Sequence, residues 1–208
     1  MRYSFEEDSR KITAKKWVKE IIIFLVEVIL VIGFAYCIIH FAVEKTEMKG
    51  ASMEATLSDG DEIIINKLLY HFQDPKRFDV IVFKQSNKEH SYYSIKRVIG
   101  LPGETIQIVE GKIFINGQPL EEKINVEPMN IEGLAGEIIT LEENEYFVLG
   151  DNRNNSEDSR FSSVGNVISD EIVGKAWIKL RPFDLINQKN LKSNQKDDGN
   201  DTNDDSSK

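Results

Sequence analysis

Ser52 is a candidate nucleophile, because its neighbours would leave its hydroxyl accessible to a substrate. The residues before it, Gly50 and Ala51, are small, and Gly50 also allows backbone conformations that other residues avoid. A serine hydroxyl is a weak nucleophile unless a neighbouring base takes its proton. An isolated segment of this composition is more often an ordinary turn. A catalytic role for Ser52 therefore requires a base elsewhere in the chain.

Lys96 is the candidate base, because it lies in an apolar segment, residues 92–99, that is typical of a β-strand. Side chains alternate along a strand, so Lys96 and Arg97 leave it on opposite faces. If the sheet is packed on both sides, one of these cations must point inward, and lysine suits burial better because it can lose its proton. Burial can lower a lysine pKa from about 10.4 by roughly 3–5 units. Otherwise Lys96 is an exposed residue on a half-solvated strand.

A third segment, residues 150–160, has the composition of a loop that is cross-linked by its own side chains. It directly follows a predicted strand that ends at Leu149. Its carboxylates and guanidinium groups can form charge-assisted pairs, and a serine hydroxyl could bind a neighbouring amine. These residues are Asp151, Arg153, Ser156, Asp158 and Arg160. On its own, the segment could equally be a solvated polar loop.

A membrane-spanning helix is predicted ahead of these segments. Residues 21–43 are apolar apart from Glu27 and His40, and about 20 apolar residues suffice to cross a bilayer. The apolar run is too long for the core of a cleaved signal peptide. Basic residues precede it, which predicts a cytoplasmic N-terminal segment, residues 1–20, and an extracytoplasmic domain after the span. The lipid bilayer is therefore an expected partner.

The domain after the span, residues 44–186, is predicted to be mainly β. Its apolar segments are short and separated by turn residues. The predicted strands are residues 62–66, 79–84, 92–99, 105–109, 113–115, 138–141, 146–149 and 172–180. Residues 104–145 are interpreted as a smaller excursion from the main body. Residues 187–208 are mostly Asn, Asp, Lys and Ser, which predicts a disordered polar tail.

Composition argues against several classes of function. The formal net charge is −9, and no basic patch outside the N-terminal segment could follow a nucleic-acid backbone. The single cysteine, Cys37, lies in the apolar run, so the domain should contain no disulfide and no thiolate metal site. The three histidines lack the spacing of metal ligands. No nucleic-acid partner, metal or other cofactor is expected.

Four segments, in this order behind a span, resemble the motifs of the bacterial type I signal peptidases. Residues 52–57, Ser-Met-Glu-Ala-Thr-Leu, resemble the serine box of that family, and residues 77–84 resemble its next strand box. Residues 95–104 resemble the lysine box, and residues 150–160 resemble the last box. The resemblance covers residues 17–182. A single span is similar to the Gram-positive form of the family.

This resemblance implies a fold, a reaction and a set of residue roles. The fold would be mainly β, with two antiparallel sheets and a small β-rich excursion. The reaction would be hydrolysis of secretory preproteins that have small residues at the first and third positions before the cut. Ser52 would be the nucleophile, Lys96 the general base, and Ser156 would orient the lysine amine. Four charged residues would support the site: Asp151, Arg153, Asp158 and Arg160. Shallow apolar substrate pockets would be built by Met48, Met53, Leu57 and Ile95.

The chain departs from the family pattern at two positions beside the serine. The family usually has proline where this chain has Ala55, which predicts a looser turn after the nucleophile. Some members have a serine, which acts as an oxyanion donor, where this chain has Gly50. Both departures concern the rate of reaction, because neither removes a reacting group.

Three other interpretations fit the sequence less well. A penicillin-binding or β-lactamase site needs a lysine three residues after the serine, where this chain has Ala55. A self-cleaving repressor with a similar dyad needs a DNA-binding helix pair at the N-terminus, where the apolar run stands. An anchored β-domain that binds secreted proteins without cleaving them would typically lack the nucleophile or the base. The sequence therefore predicts a membrane-anchored serine endopeptidase with a Ser–Lys dyad.

Overall fold

The computed structural model describes residues 3–84, 93–122, 124 and 126–186. The predicted disordered tail, residues 187–208, lies outside this range. The chain divides into two units, a long helix and a β-rich body that begins at Val43. The finer division into a cytoplasmic segment, a span and an extracytoplasmic domain stays a prediction.

Helix α1 (Tyr3–Ala42) contains the apolar segment that was expected to span a membrane. Between Lys16 and Ala42 its mean hydropathy reaches 2.9, and most of the side chains that the structure describes there are exposed, although Ala42 is buried. Among the described residues, this is the one helix that is long and apolar enough to cross a bilayer. The helix ends at Ala42, and Val43, the last residue of the predicted span, is the first residue of a strand.

The body is built from short strands and one short helix. In chain order these are β1 (Val43–Glu47), β2 (Glu62–Asn66), α2 (Leu69–Phe72), β3 (Val80–Lys84), β4 (Tyr93–Gly100), β5 (Thr105–Val109), β6 (Lys112–Ile115), β7 (Gln118–Pro119), β8 (Ile139–Thr140), β9 (Glu145–Leu149), β10 (Val167–Ile168), β11 (Ile172–Leu180) and β12 (Phe183–Leu185). Single turns of 3-10 helix lie at Gly133–Gly136 and Ser169–Glu171.

The described strands form two antiparallel sheets, which confirms the predicted fold class. The larger sheet has eight strands in the order β1-β2-β11-β3-β4-β9-β10, with β12 paired to β11. The smaller sheet has four strands in the order β7-β6-β5-β8 and lies within residues 104–145, the predicted excursion. Strand β11 separates the β1–β2 hairpin from the β3–β4 hairpin. Ser52 follows β1 and Lys96 lies on β4, so the larger sheet brings the two candidate residues into one structure.

The core covers both faces of the larger sheet. Val80 and Val82 of β3 pack in one apolar cluster, whereas Ile81 and Phe83 pack in another. All four are at most 1 % exposed, as expected for a continuously apolar strand that is covered on both sides. A third cluster joins β4 and β9 to the smaller sheet through residues such as Ile99. The strand that carries Lys96 therefore lies in the middle of the core.

Strand β1 was not predicted from the sequence. Its residues are mostly charged or polar, so an apolar strand pattern is missing. Pairing with β2 stabilises it instead, because Lys45 forms an ion pair of 2.6 Å with Glu62 of β2. Lys67, the residue directly after β2, forms a second ion pair of 3.0 Å with Glu44. Charged cross-strand pairs of this kind stabilise a sheet only once the two strands are adjacent.

Candidate active site

Ser52 lies in a turn between β1 and β2 that is anchored by apolar side chains. Met48, Met53 and Leu57 surround it in sequence and are at most 2 % exposed. All three belong to the apolar cluster of the larger sheet. The carbonyl of Met53 accepts the N–H of Leu57 at 2.7 Å, which closes a helical turn directly after the serine. The nucleophile is therefore attached to the core on both sides.

Gly50 adopts a backbone conformation that favours glycine. Its φ is +80°, in the left-handed region where a Cβ is disfavoured. Its N–H donates to Oδ1 of Asp59 at 2.6 Å. A Cβ built at Gly50 would meet no heavy atom within 4 Å. Backbone conformation, rather than lack of space, restricts this position.

Lys96 is buried beside Ser52, as the dyad requires. Its side chain enters from β4, the residue is 7 % exposed, and Nζ lies 2.8 Å from Ser52 Oγ. The amine also donates to the carbonyl of Ile95 at 3.2 Å. Burial lowers the pKa of Lys96 below the ordinary lysine value, because desolvation disfavours the charged amine. Three carboxylates oppose this effect: Asp158, Glu157 and Asp151.

Arg97 is buried as well, although lysine was the better candidate for burial on the sequence. It is fully buried, and its guanidinium makes two bonds to the Asp151 carboxylate, at 2.7 Å and 2.5 Å. It also donates to the carbonyl of Phe78 at 2.8 Å. The hydroxyl of Thr56 donates to the same carboxylate. Asp151 therefore neutralises Arg97 and joins it to the turn of Ser52.

Asp158 and Arg160 form an ion pair within the loop, one of the charge-assisted pairs that its composition allows. The guanidinium of Arg160 donates to both carboxylate oxygens, at 2.8 Å and 2.9 Å, and both side chains are at most 1 % exposed. Asp158 also accepts the N–H of Gly150 at 3.0 Å. Arg160 reaches the carbonyl of Arg153 at 2.6 Å. These bonds close residues 150–160 into one rigid loop.

Arg153 takes its partner from outside the loop. Its guanidinium makes two bonds to the Glu122 carboxylate, one of them at 2.8 Å, and Nε donates to the carbonyl of Gly150 at 3.0 Å. Glu122 precedes Arg153 by 31 residues and lies in the segment between β7 and β8. Glu122 belongs to no recognisable sequence motif, so this contact was missed.

The loop approaches the serine turn through its backbone. Asn152 donates its N–H to the carbonyl of Ser52 at 3.0 Å and its side-chain amide to the carbonyl of Ala51 at 3.0 Å. A Cβ at Gly150 would lie 2.1 Å from Ser156 Oγ and 2.5 Å from the Ser52 carbonyl oxygen. No other residue fits at Gly150 without displacing the serine turn. The contact of Asn152 was also missed, because a loop asparagine carries no distinctive sequence signal.

Ser156 lies near the dyad but makes no hydrogen bond to the lysine amine. Its Oγ is buried and has no hydrogen-bond partner within the described part of the chain. The amine instead donates to Ser52 and Ile95, so the expected bond from Ser156 is not formed in this structure. An orienting role for Ser156 stays a prediction.

The four predicted pocket residues lie together next to Ser52. Met48, Met53, Leu57 and Ile95 belong to one apolar cluster and are at most 3 % exposed. Their contact with a substrate stays a prediction. Among the described residues, no group of three or more His, Cys, Asp or Glu side chains is arranged to hold a metal ion.

Comparison with known proteins agrees with the geometry. A family model described as signal peptidase, peptidase S26, matches residues 16–180. Signal peptidase I from Leptolyngbya laminosa is 40 % identical over 154 residues, which cover 71 % of this chain and 73 % of that protein. Signal peptidase I T from Bacillus subtilis (strain 168) is 32 % identical over 184 residues, 85 % of this chain and 93 % of that protein.

A solved structure is also similar to part of the chain. The crystal structure of a signal peptidase I from Enterococcus faecalis V583 shares 31 % sequence identity, covers 50 % of this chain and 97 % of that one, and has a TM-score of 0.38. The family model and the relatives establish the assignment. This chain therefore belongs to the signal peptidase family, peptidase S26, and is a serine peptidase of type I.

Proposed function

We propose that this serine peptidase removes signal peptides from secretory preproteins with Ser52 as the nucleophile and Lys96 as the general base. The observation that carries the proposal is the 2.8 Å distance between Lys96 Nζ and Ser52 Oγ. Burial lowers the pKa of this amine, which raises the fraction that is neutral and able to accept a proton. The names of the relatives support the class of substrate.

The mechanism follows from the positions of the two groups. As Ser52 Oγ attacks the scissile carbonyl carbon, Lys96 takes its proton, and the carbonyl oxygen becomes an oxyanion. The backbone N–H of Ser52 is a candidate donor to this oxyanion. The protonated amine then gives its proton to the leaving nitrogen as the C–N bond breaks, which leaves an acyl-enzyme on Ser52. Lys96 next takes a proton from the water that attacks the ester, and it returns a proton to Ser52 Oγ as the acyl group is released.

The surrounding carboxylates stabilise the positive charge that forms on Lys96 when it takes a proton. Asp158, Glu157 and Asp151 each favour the charged amine. Desolvation favours the neutral amine, and the carboxylates limit the cost of charging it when it takes the serine proton. Lys96 can therefore both take the proton of Ser52 and give a proton to the leaving nitrogen within one buried site.

The proposal includes a position in the cell. Helix α1 would anchor the protein in the cytoplasmic membrane, because its apolar segment is long enough to span it. The basic residues before the span favour a cytoplasmic N-terminus, with the β-rich body outside. These are Arg2, Arg10, Lys11, Lys15, Lys16 and Lys19. The outer surface of the membrane is where translocated preproteins would reach Ser52.

The direct test is cleavage of a preprotein by detergent-solubilised full-length protein. We expect Ser52→Ala and Lys96→Arg to lower kcat by about 10⁴–10⁶-fold, because arginine cannot become neutral to accept the serine proton. Lys84→Arg, the same change at an exposed lysine of β3, is the matched control and should leave the rate unchanged. Appreciable turnover by Lys96→Arg would show that Lys96 is not the base. A wild-type protein that binds the preprotein without shortening it would support the non-cleaving alternative.

The orientation needs a separate test. Protease added to intact cells without their wall should digest the β-rich body and spare residues 1–20. Protection of the whole chain would reverse the proposed topology.

A further inference from the structure

Glu122 lies between β7 and β8, outside every motif that the sequence singles out, yet it contacts the loop beside the dyad. We propose that Glu122 is a positioning residue of the active site, which acts through Arg153 on the backbone that holds Ser52. The proposal rests on the roles of Ser52 and Lys96 given above. It assigns a part in catalysis to the segment between β7 and β8, two strands of the smaller sheet.

The first step is the ion pair itself. The Arg153 side chain is 1 % exposed and that of Glu122 is 13 % exposed, so the pair is largely shielded from water. Both terminal nitrogens of the guanidinium bind the carboxylate, a two-pronged geometry that fixes the plane of the guanidinium. Glu122 therefore determines the orientation of Arg153 as well as neutralising its charge.

The second step leads from the guanidinium to the serine. The remaining donor of Arg153, Nε, binds the carbonyl of Gly150 at 3.0 Å. Gly150 is where the loop comes so close to Ser52 that a Cβ would lie 2.5 Å from the Ser52 carbonyl oxygen. Two residues later, Asn152 binds the same oxygen at 3.0 Å. A displacement of the Gly150 peptide should therefore also displace the backbone of Ser52.

The third step is that residues 130–133, which follow Glu122 before β8, are fixed against the loop. The N–H of Asn130 donates to the side-chain oxygen of Asn154 at 3.0 Å, and Arg160 donates to the carbonyl of Ile131 at 3.0 Å. A Cβ at Gly133 would lie 2.3 Å from the Arg160 carbonyl oxygen, so the two backbones touch. Because residues 130–133 are held by these contacts, loss of the Glu122 charge should release Arg153 without detaching these residues from the loop.

Glu122→Gln tests the proposal, because it keeps the shape of the side chain and removes its charge. We expect kcat on a preprotein to fall about ten- to a hundredfold, since misplacement of reacting groups by about 1 Å has an effect of that size. KM should stay within about twofold, because the interaction is needed for the chemical step rather than for substrate binding. Glu121→Gln, the same change at the exposed neighbouring residue, is the matched control and should behave as wild type. A merely structural role would instead lower the melting temperature and the active fraction together, with kcat per folded molecule unchanged, and would overturn the proposal.

A double-mutant cycle identifies the route. If Glu122 acts through Arg153, adding Glu122→Gln to Arg153→Ala should cause no further loss of kcat, whereas independent effects would multiply and overturn the proposed route. Arg153→Lys, which keeps the charge but loses the two-pronged geometry, replaces Arg153→Ala if that variant fails to fold. Ser52→Ala is measured in parallel. Activity in Ser52→Ala would overturn the proposed function, whereas wild-type kcat in Glu122→Gln beside an inactive Ser52→Ala would overturn only the role of Glu122.

Discussion

The turn that carries Ser52 and the loop of residues 150–160 meet at the dyad, but different forces hold them in place. The turn is anchored by Met48, Met53 and Leu57 in the apolar core. The loop is anchored by buried charges, since Asp151, Arg153, Asp158 and Arg160 are each at most 2 % exposed. Apolar packing tolerates a change of similar volume, whereas a buried ion pair that loses one partner leaves an uncompensated charge. We therefore expect a graded response to substitution in the turn and an abrupt one in the loop.

The largest effect is expected for Asp158→Ala. It leaves the buried guanidinium of Arg160 without its carboxylate and removes the acceptor of the Gly150 N–H. Such a loss should lower the free energy of unfolding by about 3–5 kcal/mol, measured by thermal or denaturant unfolding in detergent. Glu157→Ala, at the adjacent exposed position, is the control and should change stability by less than about 0.5 kcal/mol. Wild-type stability of Asp158→Ala would remove the contrast between loop and turn.

A smaller effect is expected for Gly50→Ser in the turn. The φ of +80° should make any side chain cost about 1–2 kcal/mol, while the open space around a Cβ there adds no clash. A hydroxyl at this position could also supply a second donor to the oxyanion, and one such donor contributes about 10²–10³-fold in other hydrolases. We expect activity within about tenfold of wild type, with any gain in kcat rather than KM. A folded variant as inactive as Ser52→Ala would show that the Gly50 backbone is indispensable and that the oxyanion site lies elsewhere.

Leu57→Met should have a still smaller effect on stability. Leu57 is 1 % exposed, and its side chain contributes to the apolar cluster. A replacement of similar volume should cost less than about 1.5 kcal/mol, read from the shift in melting temperature. A cost as large as that of Asp158→Ala would mean that the turn is as intolerant as the loop.

The last prediction concerns pH, and it compares the effect of a charge in the loop with that of a charge in the turn on the pKa of Lys96. A protonated amine cannot accept the serine proton, so the rate should rise with pH through the pKa of Lys96, which burial sets below the ordinary value of 10.5. Glu157 raises this pKa, and Glu157→Gln should therefore move the rising limb to lower pH. The shift should be small because the charge is exposed and screened by salt. Glu54→Gln, an exposed change in the turn, should leave the limb in place. A rate that is flat from mildly acidic to alkaline pH would contradict a titrating base.

The sequence predicted those strands whose apolar pattern is local. The limits of β2, β5 and β11 agree with the predicted residues 62–66, 105–109 and 172–180. Strand β1 was missed because its stabilisation comes from β2 rather than from its own residues. Two-residue strands such as β10 are too short to show a period.

The site was predictable to the extent that residue type alone indicates chemistry. Ser52 and Lys96 could be chosen because their side chains can react, and the structure places them together. The burial of Arg97 could not be inferred, because its partner Asp151 is 54 residues away and could equally have paired within its own loop. The pairing of Glu122 with Arg153 could not be inferred for the same reason, since glutamates are common in surface segments. Pairing between distant charges is decided by the fold.

The position of β11 in the larger sheet has a consequence for biosynthesis. The hairpins that lead to Ser52 and Lys96 are not neighbours, because β11 lies between β2 and β3 and pairs with both. Ribosomes make this strand, Ile172–Leu180, after both reacting residues and the loop of residues 150–160. A nascent chain that lacks β11 has no sheet to bring the two hairpins together, so the protease should remain inert until its translation is nearly complete. A chain that ends at Asp170 contains both reacting residues and should nevertheless fail to cleave a preprotein.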